Sequence, residues 1–147
     1  DMCQRFQFPE PVSLTAALDQ FLDRHEQQHE IYYYRAADEY EEYIRSNVTD
    51  PNYLYRVFNG SVRKLTNSKC PTLTASMTTP RNAAVLKDAW GVRRLTLRES
   101  LRFQGFPADY YFPNTIRIQD AYKQIGNSVS VPVINSIAKQ IYRLLAE

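Results

Sequence analysis

An α+β fold is what this sequence predicts, with a mostly β middle and a strongly apolar helix at the C-terminal end. Three observations lead there. Residues 53–65 read as two runs rich in aromatic and branched residues around Asn59-Gly60, a strong hairpin signal. Thr96-Leu97-Arg98-Glu99 carries a helix-start pattern. Val133, Ile134, Ile137, Ala138, Ile141, Leu144 and Leu145 recur at helical spacing. With 147 residues, 44% of them hydrophobic, the chain can bury a real core and is too apolar to remain disordered.

Taken in order, residues 6–12 should be extended, because Pro9 and Pro11 push their neighbours out of the helical region. Ser13 or Thr15 can then cap a helix over 14–27, with Leu14, Leu18, Phe21 and Leu22 on one face. Ile31 to Tyr34 reads as a short strand, Asp38 to Ile44 as an acidic helical turn, and 47–52 as a loop turning at Asp50-Pro51. Tyr53 to Phe58 and Val62 to Leu65 form the hairpin strands. Thr72 to Met77 and Ala83 to Leu86 are further strand candidates around the polar loop 78–82. In the capping box, the Thr96 hydroxyl accepts from the Glu99 N–H while the Glu99 carboxylate reaches back to the Thr96 N–H. That helix should run to about Phe103 and stop at Gly105-Phe106-Pro107. An aromatic loop, 110–114, leads to a helical turn at 120–124, ended by Gly126-Asn127. Ser128 or Ser130 caps the final helix, whose first turn tolerates Pro132 because no N–H is needed there. So apolar a helix must pack on something, which can lie outside the chain.

The net charge of +2 hides an asymmetry. Residues 1–52 hold four basic and eleven acidic side chains, whereas 53–105 hold ten basic and two acidic. A basic middle behind an acidic start suits one-sided contact with a polyanion. No apolar run approaches the roughly 20 residues of a membrane helix. Cys3 and Cys70 have no paired spacing and read as free thiols of a reducing compartment. His25 and His29 sit four residues apart without a third ligand, so no metal site is expected.

Two motifs carry a family resemblance. Residues Arg94 to Pro107 resemble motif IX of the DNA cytosine-C5 methyltransferases, and Ala121 to Val133 resemble motif X. Cys70-Pro71-Thr72-Leu73-Thr74-Ala75-Ser76-Met77 resembles the Thr-Leu element that ends the family's target recognition domain, and Arg5 to Pro11 the segment after motif VIII. The family's catalytic Pro-Cys-Gln and Glu-Asn-Val motifs and its cofactor loop, Phe-x-Gly-x-Gly, are missing. Cys70 adjoins Pro71 in the reverse order, with no base in evidence, and is not expected to be the nucleophile. The start at Asp1, with no initiator Met, is what would be expected of an excised or engineered fragment.

The resemblance implies a target recognition domain over 1–115, including motif IX, and a motif X segment over 116–147 that belongs to the cofactor domain. The C-terminal helix would then pack on an S-adenosylmethionine-dependent Rossmann-like α/β domain not contained in this chain. By the same resemblance Asn127, Ser128 and Val129 contact S-adenosylmethionine, and a turn opening a helix suits its carboxylate. Lys69, Thr72, Thr74, Ser76, Arg81 and Arg63 are expected at double-stranded DNA, Thr72 on a phosphate. The wider pool of base readers adds Arg56, Lys64, Asn67 and Thr78, although phosphate contact or plain solvation accounts for most single candidates. Glu99 is expected to be structural, and Arg98 or Arg102 to buttress the fold or touch phosphate. No catalytic residue is expected here, so the chain alone should not transfer methyl groups. An N-terminal catalytic domain or subunit of the same methyltransferase would supply the chemistry. The alternative is a non-enzymatic DNA-binding module, for which a retained cofactor turn would serve no purpose. The implied setting is a prokaryotic restriction-modification system acting in the cytoplasm on nucleoid DNA. The chain departs from the family at residues 76–82, where a Gly-rich stretch is common, and at Leu97, where proline is common.

Overall fold

The computed structural model describes residues 5–13, 15–66, 69–79 and 81–146. Asp1, Cys3, Leu14 and Asn67, named above, and Pro80 of the loop 78–82 lie outside the described residues.

The centre is a four-stranded antiparallel sheet in the order β2-β1-β3-β4, with β1 Tyr55–Phe58, β2 Ser61–Lys64, β3 Ala83–Asp88 and β4 Gly91–Arg94. The β1–β2 hairpin closes on Phe58 opposite Ser61. Its two turn residues, Asn59 and Gly60, have φ of 47° and 76°. Both are left-handed, which a type I′ turn requires and which Asn and Gly tolerate. The β3–β4 hairpin pairs Asp88 with Gly91, and the Asp88 carboxylate accepts from the Trp90 and Gly91 N–H groups.

Each face of the sheet has its own core. Tyr55, Val57, Ala83, Val85 and Val92 pack with Tyr34, Ile44 and Val48 under helix α1 (Glu39–Asn47). Asp38 caps α1 by accepting from the Glu41 N–H at 2.8 Å, and three glutamates in the first turn suit the helix dipole. On the opposite face Leu54, Ala84 and Leu86 join Leu18, Leu22, Leu73 and Met77. Helices α2 (Leu97–Gln104) and α3 (Ile118–Asn127) add Leu101, Tyr122 and Ile125 to that cluster.

The capping box at Thr96 and Glu99 is present as expected. Four expectations fail. Among the described residues of 14–27 there is only a 3-10 turn at Leu18–Gln20, because Leu18 and Leu22 peg an irregular segment to the core. Residues 31–34 contribute a 3-10 turn at Glu30–Tyr32 and a single bridge from Tyr33 to Arg93. Residues 72–77 are loop and turn, again pegged by Leu73 and Met77. The helical turn expected to stop at Gly126-Asn127 is a full helix that contains both residues. Conversely β4 was not expected, since buried arginines break its apolar alternation.

Helix α4 (Val131–Ala146) stands apart, with no buried residue. Val133, Ile134, Ile141 and Leu145 are exposed, and the extended N-terminal stretch from Phe8 to Val12 flanks a shallow groove beside Val133 and Ile137. Among the described residues no helix is long and apolar enough to cross a membrane.

Candidate functional site

Two segments expected at the site meet across a glycine. Gly126 faces the backbone of the 72–77 loop so closely that a Cβ there would overlap the Thr74 carbonyl and the Ala75 nitrogen. An alanine cannot occupy this position without moving one chain, which is why a helix-weakening residue stands inside α3. On the same side the Gln104 amide of α2 donates to the Ile125 carbonyl at 3.3 Å. The result is an open groove of about 380 Å³ with Thr72, Leu73, Gln104, Gly126 and Ser128 on its walls.

Asn127 is exposed in the last turn of α3, and Val129 is exposed in the link to α4. Ser128 caps the C-terminal end of α3. Its N–H and its hydroxyl both donate to the Ile125 carbonyl, at 3.1 and 2.6 Å. Ser128 is therefore not the N-cap of α4, which starts three residues later; Pro132 does lie in that first turn. The expected turn opening a helix is instead a link between the end of one helix and the start of the next. Any helix-derived attraction for a carboxylate comes from α4.

The 72–77 loop is braced internally. The Thr74 and Ser76 hydroxyls are 2.9 Å apart, and the Asn82 amide donates to Ser76 at 2.5 Å. Thr72 and Ser76 are exposed, and Thr74 is half-buried. Lys69 and Arg63 are exposed, and no ion pair engages either among the described residues. Arg81 is placed elsewhere: its guanidinium pairs with Asp38 at 2.9 Å and lies over the Tyr40 ring, at the start of α1. Lys64 pairs with Asp50 at 2.7 Å. Cys70 lines the groove but is packed against the core, and burial pushes its thiol up to about 12. A thiol so placed is protonated at neutral pH, the opposite of what a nucleophile needs.

Behind these segments lies a buried ion network absent from the expectations. Arg93 is fully buried and donates to both Glu99 carboxylate oxygens, each at 2.8 Å, and to Asp88 at 2.6 Å. Glu99 also accepts from the Asp23 and Thr96 N–H groups. Burial alone would lower the Arg93 pKa, but the contacts to Glu99 and then Asp88 outweigh it, and the pKa is raised. Glu99 is thus structural, and Arg102 is a buttress, paired with Asp23 at 2.7 Å. Arg98 is exposed beside a groove it shares with Tyr32 and Tyr110. Arg94 is buried between the Tyr122 and Tyr32 rings, at 4.8 and 5.9 Å. The signal for Arg93 was its place in Val92-Arg93-Arg94-Leu95, polar residues inside an apolar context.

A family model described as C-5 cytosine-specific DNA methylase matches residues 5–143. Type II methyltransferase M.Bsp6I of Bacillus sp. is 36% identical over 143 residues, which is 95% of this chain and 45% of that protein. Type II methyltransferase M.SsoII of Shigella sonnei is 53% identical over 53 residues, 36% of this chain and 14% of the relative. A solved structure of a Spodoptera frugiperda DNMT2 mutant shares the fold with a TM-score of 0.65 at 17% identity, covering 92% of this chain and 45% of that one. Entamoeba histolytica EhMeth gives 0.62 at 15% identity, covering 97% and 45%. The chain spans less than half the length of these relatives.

Proposed function

The chain belongs to the C-5 cytosine-specific DNA methylase family, and from that premise we propose that it contributes the DNA-reading part and one wall of the cofactor pocket of such an enzyme. Residues 1–115 act as the target recognition domain and 116–147 as a segment of the cofactor domain. Methyl transfer itself depends on an N-terminal domain or subunit carrying the Pro-Cys-Gln motif.

The observation that carries this reading is α4. Sixteen residues long, it buries none of them, and its exposed valine, isoleucine and leucine side chains directly follow the Asn127–Val129 segment. An apolar helix face of this kind is stable in water only when covered. A catalytic domain docked there would stand against the Asn127–Val129 link and the groove beside it.

S-adenosylmethionine would supply the methyl group. The residues present fit one wall of its site: the Asn127 amide is exposed to hydrogen-bond a polar ligand, Val129 offers apolar surface, and Ser128 fixes the link by its bonds to Ile125. DNA contact falls to the 69–76 loop through Lys69, Thr72, Thr74 and Ser76, with Arg63 on the sheet. Arg81, held by Asp38, would have to leave that ion pair to reach a phosphate.

Complementation tests the proposal. The chain alone should transfer no methyl group to DNA, and mixing it with an N-terminal segment bearing Pro-Cys-Gln should restore transfer. Asn127→Ala should then raise the apparent KM for S-adenosylmethionine. Methylation by the chain alone, or no restoration by any such segment, would count against it.

A further inference from the structure

We propose that Arg56 and Arg63 together grip a single phosphate of a DNA duplex. The inference rests on the DNA-contact reading above and adds a site to it. The two arginines are direct cross-strand partners in the β1–β2 hairpin. Side chains so paired have Cβ atoms about 5 Å apart, and like charges placed there repel. Four of the ten basic residues of the middle segment are neutralised within the fold: Lys64 by Asp50, Arg81 by Asp38, Arg93 by Glu99 and Asp88, Arg102 by Asp23. Among the described residues no carboxylate pairs with Arg56 or Arg63. An uncompensated pair of this kind is an unfavourable arrangement for folding alone and a favourable one for an anion shared between the two guanidinium groups.

Position supports the same assignment. Arg56 is also the register partner of Ala84, so both arginines share the sheet face of Ala84, Leu86 and the Leu73–Met77 loop. The acidic helix α1 covers the opposite face. Arg56, half-buried, lies with its guanidinium 4.7 Å from the centre of the exposed Phe58 ring, which braces the group. Two guanidinium groups suit one phosphate, whereas a guanine edge takes only one. The clamp therefore holds the backbone and is indifferent to sequence.

The test is titration of the 147-residue chain, Arg56→Gln, Arg63→Gln and the double variant with mixed-sequence duplexes over a range of salt. The double variant should lower the slope of log affinity against log salt by about one, each single variant by no more than that, and all should weaken binding alike for every duplex. Thermal unfolding should occur at the same or a higher temperature, because relief of the repulsion offsets any lost contact; a binding defect is thereby separated from misfolding. Unchanged affinity and slope in both variants would overturn the clamp while leaving the DNA reading in place. A loss confined to one duplex sequence would overturn it too, in favour of base reading. No binding by the unsubstituted chain would overturn the DNA reading itself, and the clamp with it.

Discussion

Arg93 shows what a single residue commits this chain to. Its buried guanidinium ties β4 to the cap of α2, to the β3–β4 turn and, through Glu99, to the segment at Asp23. Removing Glu99 strips the guanidinium of two charge-assisted hydrogen bonds and leaves Asp88 as its remaining counter-charge in the core. Glu99→Ala should therefore cost about 3–5 kcal/mol in denaturant unfolding, and a loss below 1 kcal/mol would show that water reaches Arg93. Cys70 makes a different prediction. With its thiol pushed up to about 12, it stays protonated and below its folded pKa at mildly alkaline pH. Alkylation there should be far slower in the folded chain than in denaturant; equal rates would contradict its packing. Residue-level reading succeeded where the chemistry is local, as at Thr96 and Glu99, three positions apart. It failed at Arg93, whose partners Asp88 and Glu99 become neighbours only when the sheet and α2 are assembled.

Elements were legible in proportion to how much of their reason lay inside them. Asn59-Gly60 carries its own turn geometry, so the first hairpin could be read directly. Leu18 with Leu22, and Leu73 with Met77, mimic helix and strand spacing while serving as pegs for irregular chain, and nothing within those segments distinguishes the two uses. Gly126 looked like a helix stop because the backbone it accommodates is fifty residues away in sequence. Gly126→Ala should displace the 72–77 loop or α3 and lower the unfolding temperature, with the loop's amide signals shifting first in NMR spectra. Helix α4 gives the opposite expectation. Ile141→Asp alters a side chain that is 46% exposed, so the chain's own stability should hardly move. Association with the proposed N-terminal catalytic segment should fall sharply, and an unaffected association would overturn α4 as its docking face.

For the whole molecule, the charge imbalance read along the chain has two origins. Part of it is internal complementarity, since acids of the first third pair with bases of the middle: Asp23 with Arg102, Asp38 with Arg81, Asp50 with Lys64. The remainder, including Arg56, Arg63 and Lys69, is what the proposed DNA contact would use. A linear count cannot separate the two. The paired acids also set an acid limit. The Glu41 N–H and then Arg81 hold Asp38 below the usual carboxylate range, and Lys64 and then the Asn52 N–H hold Asp50 there. Groups depressed in the fold stabilise it above their unfolded pKa, and that contribution is lost as pH falls through the folded one. The difference in unfolding temperature between the chain and Arg81→Gln should therefore be present at neutral pH and vanish in strong acid; a difference that persisted would show that Arg81 acts through packing on Tyr40. The contact at Gly126 reaches furthest. Because α3 rests on the backbone at Thr74 and Ala75, a chimera that borrows a relative's version of the 72–77 loop inherits a fitting problem at a helix outside the exchanged stretch. Grafts cut between residues 72 and 77 should yield poorly, whereas those that carry the loop and α3 across as one piece should fold, making the smallest transplantable unit longer than the proposed DNA-facing surface itself.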